Sequence, residues 1–257
     1  MKNSRQDVQT RQMNILNMVR QRGEVRVEDI AKEFQISTMT VRRDLQILDE
    51  ENLLRRTHGG AISFEKEKRN STEDVLLCRE RISAFAAQFV EDGETLFING
   101  SRTALGILKY LEGKTVTAYT NNGWAFSEDY PRNVTVHFTG GERYAHIMIG
   151  EAVVRSILET SADRTIVGCA AVYDDGQFRY DIPTEIGINE AMIGRTGKQL
   201  YVLADHTKLQ RKEDRVHAYG SCSYNRPCTL ITDELADPEI VKRLKGMGIE
   251  VQLVPLV

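Results

Sequence analysis

An α/β protein with an amino-terminal winged helix-turn-helix is the fold this sequence predicts, on three observations. Two short amphipathic segments, one over 27–34 and one opening at Ser37, leave room between them for only a tight turn at Gln35-Ile36. Two extended runs then flank His58-Gly59-Gly60, the pattern of a β-hairpin wing. Beyond a polar stretch, strand-like and helix-like segments alternate for about 180 residues, which predicts a mostly parallel sheet with helices on its faces.

In the first segment, Val27, Ile30, Ala31 and Phe34 recur at helical spacing and form one buried face. Ser37 suits the N-cap of the next helix, where Val41, Leu45 and Leu48 make a second stripe. Leu53–Thr57 and Ala61–Ser63 are the arms of the wing. Glu65-Lys66-Glu67-Lys68-Arg69-Asn70-Ser71-Thr72-Glu73-Asp74 has no apolar period and reads as a connection. The expected division is therefore a winged helix-turn-helix over 1–64, a linker over 65–74 and an α/β domain over 75–257. In that domain a helix carrying Ile82, Phe85, Ala86 and Phe89 precedes a strand at Thr95–Ile98. Further strands are expected at Val116–Thr120, Val134–Thr139, Thr165–Val167, Leu200–Leu203, Leu230–Thr232 and Glu250–Val254, with helices near 184–195 and from Asp237-Pro238 to Gly246. Ligands of such sheets bind at the carboxyl ends of the strands.

The chain has 257 residues, 41% hydrophobic and 28% charged, with a net charge of −3, which excludes a uniformly basic nucleic-acid coat. The charge is uneven, however. Residues 1–62 hold 11 Lys+Arg against 9 Asp+Glu, or +2, and the rest hold 23 against 28, or −5. No apolar run approaches the roughly 18 residues of a membrane span, and the polar start is not a secretory signal. Cys78, Cys169, Cys222 and Cys228 form no Cys-x-x-Cys pair and read as reduced structural thiols of a cytoplasmic protein.

Stepping about 100° per residue from Val41 keeps Leu45 and Leu48 within about 40° of it, while Arg42, Gln46, Met39 and Arg43 fall about 100–200° away. Two guanidiniums, an amide and a flexible apolar chain on the outward face are what major-groove readout requires. Ser37, Thr38 and Thr40 sit in or before the first turn, where hydroxyls meet phosphates beside the positive helix end. Arg55, Arg56 and His58 on the wing, with Arg5 and Arg11 upstream, offer further backbone or minor-groove contacts.

Thr40-Val41-Arg42-Arg43-Asp44-Leu45, then Leu48, then Arg55-Arg56-Thr57-His58-Gly59-Gly60-Ala61 resembles the amino-terminal signature of DeoR-family transcriptional regulators. The resemblance runs through most of the chain. It implies a carboxy-terminal domain related to ribose-5-phosphate isomerase that binds phosphorylated sugars. It further implies repression of a sugar-utilisation operon, and so a place in carbohydrate metabolism, relieved by a pathway intermediate, by a homo-oligomer (dimer or tetramer) on double-stranded operator DNA.

Asn99-Gly100-Ser101-Arg102-Thr103 follows the first strand of the second domain and opens a helix with Leu105, Leu108 and Leu111, so its backbone N–H groups suit an anion. The family pattern at this point resembles Asp-Ser-Gly-Thr-Thr-Thr; here Ser101 and Arg102 replace Gly-Thr. Arg102 either strengthens phosphate binding or fills the pocket. Thr120-Asn121-Asn122 resembles the family's Thr-Asn-Ser, and Gly140-Gly141 a family turn; both read equally as strand-end turn chemistry. Glu185 aligns with a family Glu. Leu203-Ala204-Asp205-His206-Thr207-Lys208 resembles Leu-Ala-Asp-Ser-Ser-Lys, which implies that Lys208 reaches the ligand phosphate and that Asp205 binds sugar hydroxyls or fixes the Lys.

The competing class is a sugar-phosphate isomerase-like enzyme. Asp174-Asp175-Gly176 and Asp181 are the carboxylates nearest such a role, but Asp-Asp-Gly between extended runs is hairpin chemistry. His137 and His146 lack a metal-ligand spacing, and no phosphate-binding Gly-rich motif for dinucleotides or ATP occurs. No catalytic residue, metal or cofactor is expected.

Overall fold

The computed structural model describes residues 5–50, 53–57, 59–63, 72–180, 182–211, 219–222 and 227–256. The chain divides into two compact units, Met1–Asp74 and Val75–Val257.

In the first unit, α1 (Arg5–Arg22) leads into β1 (Glu24–Arg26), α2 (Val27–Phe34), α3 (Thr38–Glu50), β2 (Arg55–Arg56) and β3 (Gly60–Ile62). The tight turn between α2 and α3 places Gln35 in the left-handed region at φ 51°, with its N–H on the Ala31 carbonyl. Val27, Ile30, Val41, Leu45 and Leu48 are buried as their spacing predicts, and Ile15, Leu16 and Val19 of α1 complete the core. The wing holds a third strand that periodicity did not reveal. β1 pairs antiparallel with β3, Val25 opposite Ala61, in the order β1-β3-β2. Three residues are too few to show an alternation in sequence. Gly60 is needed for this pairing, because a Cβ there would lie 2.0 Å from the Val25 carbonyl oxygen.

The connection ends earlier than the sequence suggested. Thr72, Glu73 and Asp74 form the first turn of α4 (Thr72–Ala87). A polar, acidic first turn is compatible with a helix because its N-terminus favours negative charge, so the missing apolar period did not mark its boundary.

The second unit is built on seven parallel strands in the order β16-β15-β12-β9-β4-β5-β6. These are β4 (Thr95–Ile98), β5 (Val116–Thr120), β6 (Val134–Phe138), β9 (Ala162–Gly168), β12 (Thr196–Leu203), β15 (Cys228–Asp233) and β16 (Glu250–Val254). Alternate residues of β4 serve opposite faces. Leu96 and Ile98 pack with Ile82, Ala86, Leu105 and Leu108. Phe97 packs the other way, against Val153 and Ile157 of α6 (Glu151–Leu158) and Ile188 and Met192 of α7 (Thr184–Gly194). The helix after β4 is short, α5 (Arg102–Gly106), and continues as a 3-10 turn over Ile107–Tyr110. Two smaller pieces were only partly foreseen: the β7 (Glu142–Tyr144) and β8 (Ile147–Ile149) hairpin, and a four-stranded sheet of β13 (Leu209–Gln210), β10 (Ala171–Tyr173), β11 (Phe178–Tyr180) and β14 (Tyr219–Cys222). The Asp174–Gly176 turn joins β10 to β11, as hairpin chemistry predicts. α8 (Pro238–Gly246) precedes β16.

At the amino ends of the strands, Glu94 accepts from Arg164 at 2.7 Å and from Lys198 at 2.9 Å. Burial pushes the Glu94 carboxyl up, but the bonds from Arg164, the Glu91 backbone and Lys198 outweigh it and hold it below its usual range. The opposite edge is left for ligands. Strand order reverses between β4 and β9, so the carboxyl ends of these two neighbours form the switch point at which open α/β sheets bind.

Candidate functional site

The first unit presents a basic helix face. Ser37 caps α3: its Oγ accepts the Thr40 N–H at 3.1 Å and lies 2.9 Å from the Thr40 hydroxyl. Thr38 is exposed in the first turn, and Met39, Arg42, Arg43 and Gln46 are exposed on the side turned away from the buried stripe, Met39 at 77%. On the wing, Arg55 and Arg56 are exposed, with Arg55 3.7 Å from Asp49. His58 lies outside the described residues, as does the side chain of Arg5.

Arg11 does not join this face. Its guanidinium is forked onto Asp44, Nε at 2.7 Å and an Nη at 3.0 Å, and Gln12 adds a bond at 3.1 Å. Asp44 is only 2% exposed. The hydrogen bond to Asp44 raises the Arg11 pKa, against a smaller effect of burial. The acidic residue inside Arg42-Arg43-Asp44-Leu45 thus ties α3 to α1 from behind, a role its place in the motif did not disclose.

In the second unit a cavity of about 330 Å³ opens at the carboxyl edge of the sheet. Of the residues expected at an effector site, Asn99, Gly100, Ser101, Arg102, Thr103, Glu185, Asp205 and Lys208 line it. Asn99 organises the switch point. Its Oδ1 accepts the N–H groups of Ser101 (3.2 Å) and Gly168 (3.0 Å), and its Nδ2 donates to the Gly168 carbonyl and to Asn189. Ser101 caps α5 through the Ala104 N–H. The loop is closely packed: a Cβ on Gly168 would lie 2.1 Å from Ser101 Oγ, and one on Gly100 would lie 3.0 Å from Glu185 Oε1. Arg102 does not fill the cavity. Its guanidinium stacks 3.8 Å from the Trp124 ring centroid, and the residue stays exposed.

Thr120, Asn121, Asn122, Gly140 and Gly141 are not part of the lining, which corrects their reading as pocket residues. The first three are buried supports. Thr120 bonds the Ile98 carbonyl, and Asn122 bonds the carbonyls of Asn99 and Ser101 from behind the loop. Asn121 holds β8 through the Met148 carbonyl. Gly140 and Gly141 turn the chain at φ 70° and 105°, and Gly141 lies against Ile149 and Val153. Their small polar character is strand-end chemistry.

Asp205 does not fix Lys208 through its carboxylate. Its Oδ2 accepts from Arg79 at 2.8 Å and its Oδ1 from the Thr207 N–H at 3.1 Å. Lys208 has no ion-pair partner among the described residues. Arg79, His146, Gly168, Cys169, Ala170, Tyr180 and Ile182 line the cavity as well and were not foreseen. The strand-end rule applied to β9 would have found Gly168–Ala170. Arg79 is masked in sequence by lying on a helix well before the sheet.

Asp174 is tied to Arg243, and His137 stacks on Tyr119. No catalytic grouping of the expected carboxylates forms among the described residues. Asp181 lies outside them.

Residues 11–67 match the DeoR-like helix-turn-helix domain, and residues 77–234 match the DeoR C terminal sensor domain. The chain belongs to the DeoR family. Its winged head and its sheet are thus the DNA-binding and sensor domains of a transcriptional regulator. Among DeoR-type relatives, an uncharacterized HTH-type transcriptional regulator of Bacillus subtilis is 28% identical over 97% of this chain and 98% of its own length. The transcriptional repressor AccR of Agrobacterium fabrum is 30% identical over 84% of this chain and 86% of its own. The glycerol-3-phosphate regulon repressor of Escherichia coli is 30% identical over 79% and 84%. Ribose 5-phosphate isomerase A of Methanocaldococcus jannaschii aligns with 55% of this chain and 56% of its own at 16% identity and a TM-score of 0.39, too distant to bear on function. Among the described residues no helix is long and apolar enough to cross a membrane.

Proposed function

We propose that this DeoR-family regulator is a cytoplasmic repressor of a carbohydrate-metabolism operon, and that a phosphorylated sugar in the sensor cavity controls its grip on DNA. The observation that carries the reading is the cavity's charge. Arg102, held on Trp124, and Lys208 are cations without carboxylate partners among the described residues, while Asp205 is already matched by Arg79. Two cations beside the Ser101–Thr103 loop suit a phosphate; Glu185, against Gly100, suits a sugar hydroxyl. The names of the relatives, two of them repressors and one of a glycerol-3-phosphate regulon, agree with this class.

On the head, Arg42, Arg43 and Gln46 read base edges, Met39 touches a thymine methyl, and Ser37, Thr38, Thr40, Arg55, Arg56 and His58 hold the backbone. A palindromic or repeated operator calls for a dimer or tetramer. The effector acts through its different affinity for the DNA-competent and incompetent states, a coupling of about 1–3 kcal/mol in typical cases. We take the cavity as a binding site, in keeping with a family of regulators: Asp174, the candidate base, is engaged by Arg243 and is not among the lining residues.

Calorimetry of the full chain with paired phosphorylated and unphosphorylated sugars tests the site. Binding should require the phosphate and should be lost in Lys208→Ala, with operator affinity nearly unchanged. Loss of DNA binding in that variant would instead assign Lys208 to folding.

A further inference from the structure

Three side chains of unlike chemistry meet inside the sensor unit: Cys78 of α4, His206 in the turn after β12, and Asp233 at the end of β15. One donor atom from each lies within 4.8 Å of the others. The Cys78 Sγ is 3.8 Å from His206 Nδ1, and Asp233 Oδ1 is 2.9 Å from the same nitrogen. Cys78 and Asp233 are fully buried, and the His206 side chain is 7% exposed.

We propose that Cys78, His206 and Asp233 form a binding site for a divalent transition-metal ion, Zn²⁺ being the class of ion that this donor set favours. A thiolate, an imidazole and a carboxylate are zinc's ordinary ligands, whereas Mg²⁺ and Ca²⁺ take oxygen alone. A tetrahedral ion with bonds of about 2.3 Å to sulfur and about 2.0–2.1 Å to nitrogen and oxygen holds its donors roughly 3.3–3.6 Å apart. The contacts at 2.9 and 3.8 Å bracket that spacing, so small side-chain shifts bring the three around one point. The carboxylate is already oriented from behind: Oδ2 accepts the His206 N–H at 2.8 Å and Oδ1 the Leu235 N–H at 3.1 Å. On binding, the thiol gives its proton to solvent. The ring proton that the 2.9 Å contact with Asp233 places on Nδ1 is exchanged with solvent for one on Nε2, leaving Nδ1 to bind the ion. Three protein ligands leave one position for water.

Cys78 adjoins Arg79, and His206 adjoins Asp205, the pair that lines one side of the cavity. The ion would therefore staple α4 to the 205–208 turn next to the effector's wall. The metal site stands independently of the effector's identity.

Cobalt titration of the EDTA-stripped full chain tests it. One equivalent of Co²⁺ should produce a near-ultraviolet thiolate-to-cobalt charge-transfer band and the intense visible bands of a tetrahedral site, both displaced by Zn²⁺. Cys78→Ser should lose the charge-transfer band while keeping its far-ultraviolet circular dichroism. If that variant does not fold, His206→Gln serves the comparison, since it should weaken Co²⁺ binding by at least tenfold. No thiolate band in the wild-type chain at saturating Co²⁺ overturns the proposal, as does an undiminished band in Cys78→Ser.

Discussion

The two units of this regulator arrange function and support in opposite ways. In the head, the residues we propose to read DNA point outward from one continuous helix, and the support, Arg11 on Asp44, lies behind them. In the sensor, the cavity gathers residues from α4, the β4–α5 loop, the β8 hairpin, the end of β9, β11 with α7, and the turn after β12. Its supports, Thr120, Asn121 and Asn122, carry the same small polar chemistry as the lining. A single helix sorts its roles by angle, so sequence arithmetic separates core from surface. A strand-end site sorts them by depth, to which sequence gives no direct index.

The largest expected effect tests the head's support. Asp44→Ala strands the Arg11 guanidinium, and breaking a buried pair in this way costs about 3–5 kcal/mol. Chemical denaturation of the full chain, followed by a probe in the head, should show the loss. Unchanged stability with altered base preference would place Asp44 on the reading face and undo the contrast. Next comes the reading face itself. Arg42→Ala should cost about 1–3 kcal/mol of discrimination at one operator position, measured on single-base operator variants, with little change in folding. Equal weakening on specific and random DNA would make Arg42 a phosphate contact.

The smallest effect is graded and belongs to the sensor. The Glu94 carboxyl, facing Arg164, Lys198, Glu91, Asp163 and Tyr201, is held below its ordinary 4.5 in the folded chain. Its stabilising contribution is complete above that value and lost as pH falls through the folded pKa. Melts of the sensor transition should drop more steeply below about pH 4.5 in wild type than in Glu94→Gln. Parallel profiles would mean that the network contributes nothing to the pH dependence.

What was legible in the sequence follows the same contrast. Val41, Leu45 and Leu48 announced α3, and Val116–Thr120 and Glu250–Val254 were read to the residue, because each is a short run carrying β-branched residues between Gly, Asn or Pro turn signals. β1 escaped because Val25 is its only buried residue. The four-stranded sheet escaped because β13 and β14 join it from segments distant in sequence. Asn99–Thr103 and Lys208, expected from the strand-end rule and the family pattern, line the cavity. Arg79 was not, since only the fold brings it to Asp205. Asn122 was misassigned because a side chain that holds a loop and one that holds a ligand use the same amide.

The most direct measurement is fluorescence anisotropy of labelled duplexes from the gene's own upstream region, against scrambled DNA at moderate salt, with and without a panel of phosphosugars. We expect binding specific to the upstream duplex and reversed by one phosphorylated compound but not by its unphosphorylated counterpart. Specific binding that no phosphosugar alters would contradict the control we assign to the cavity, and binding no tighter than to scrambled DNA would contradict recognition of its own operator.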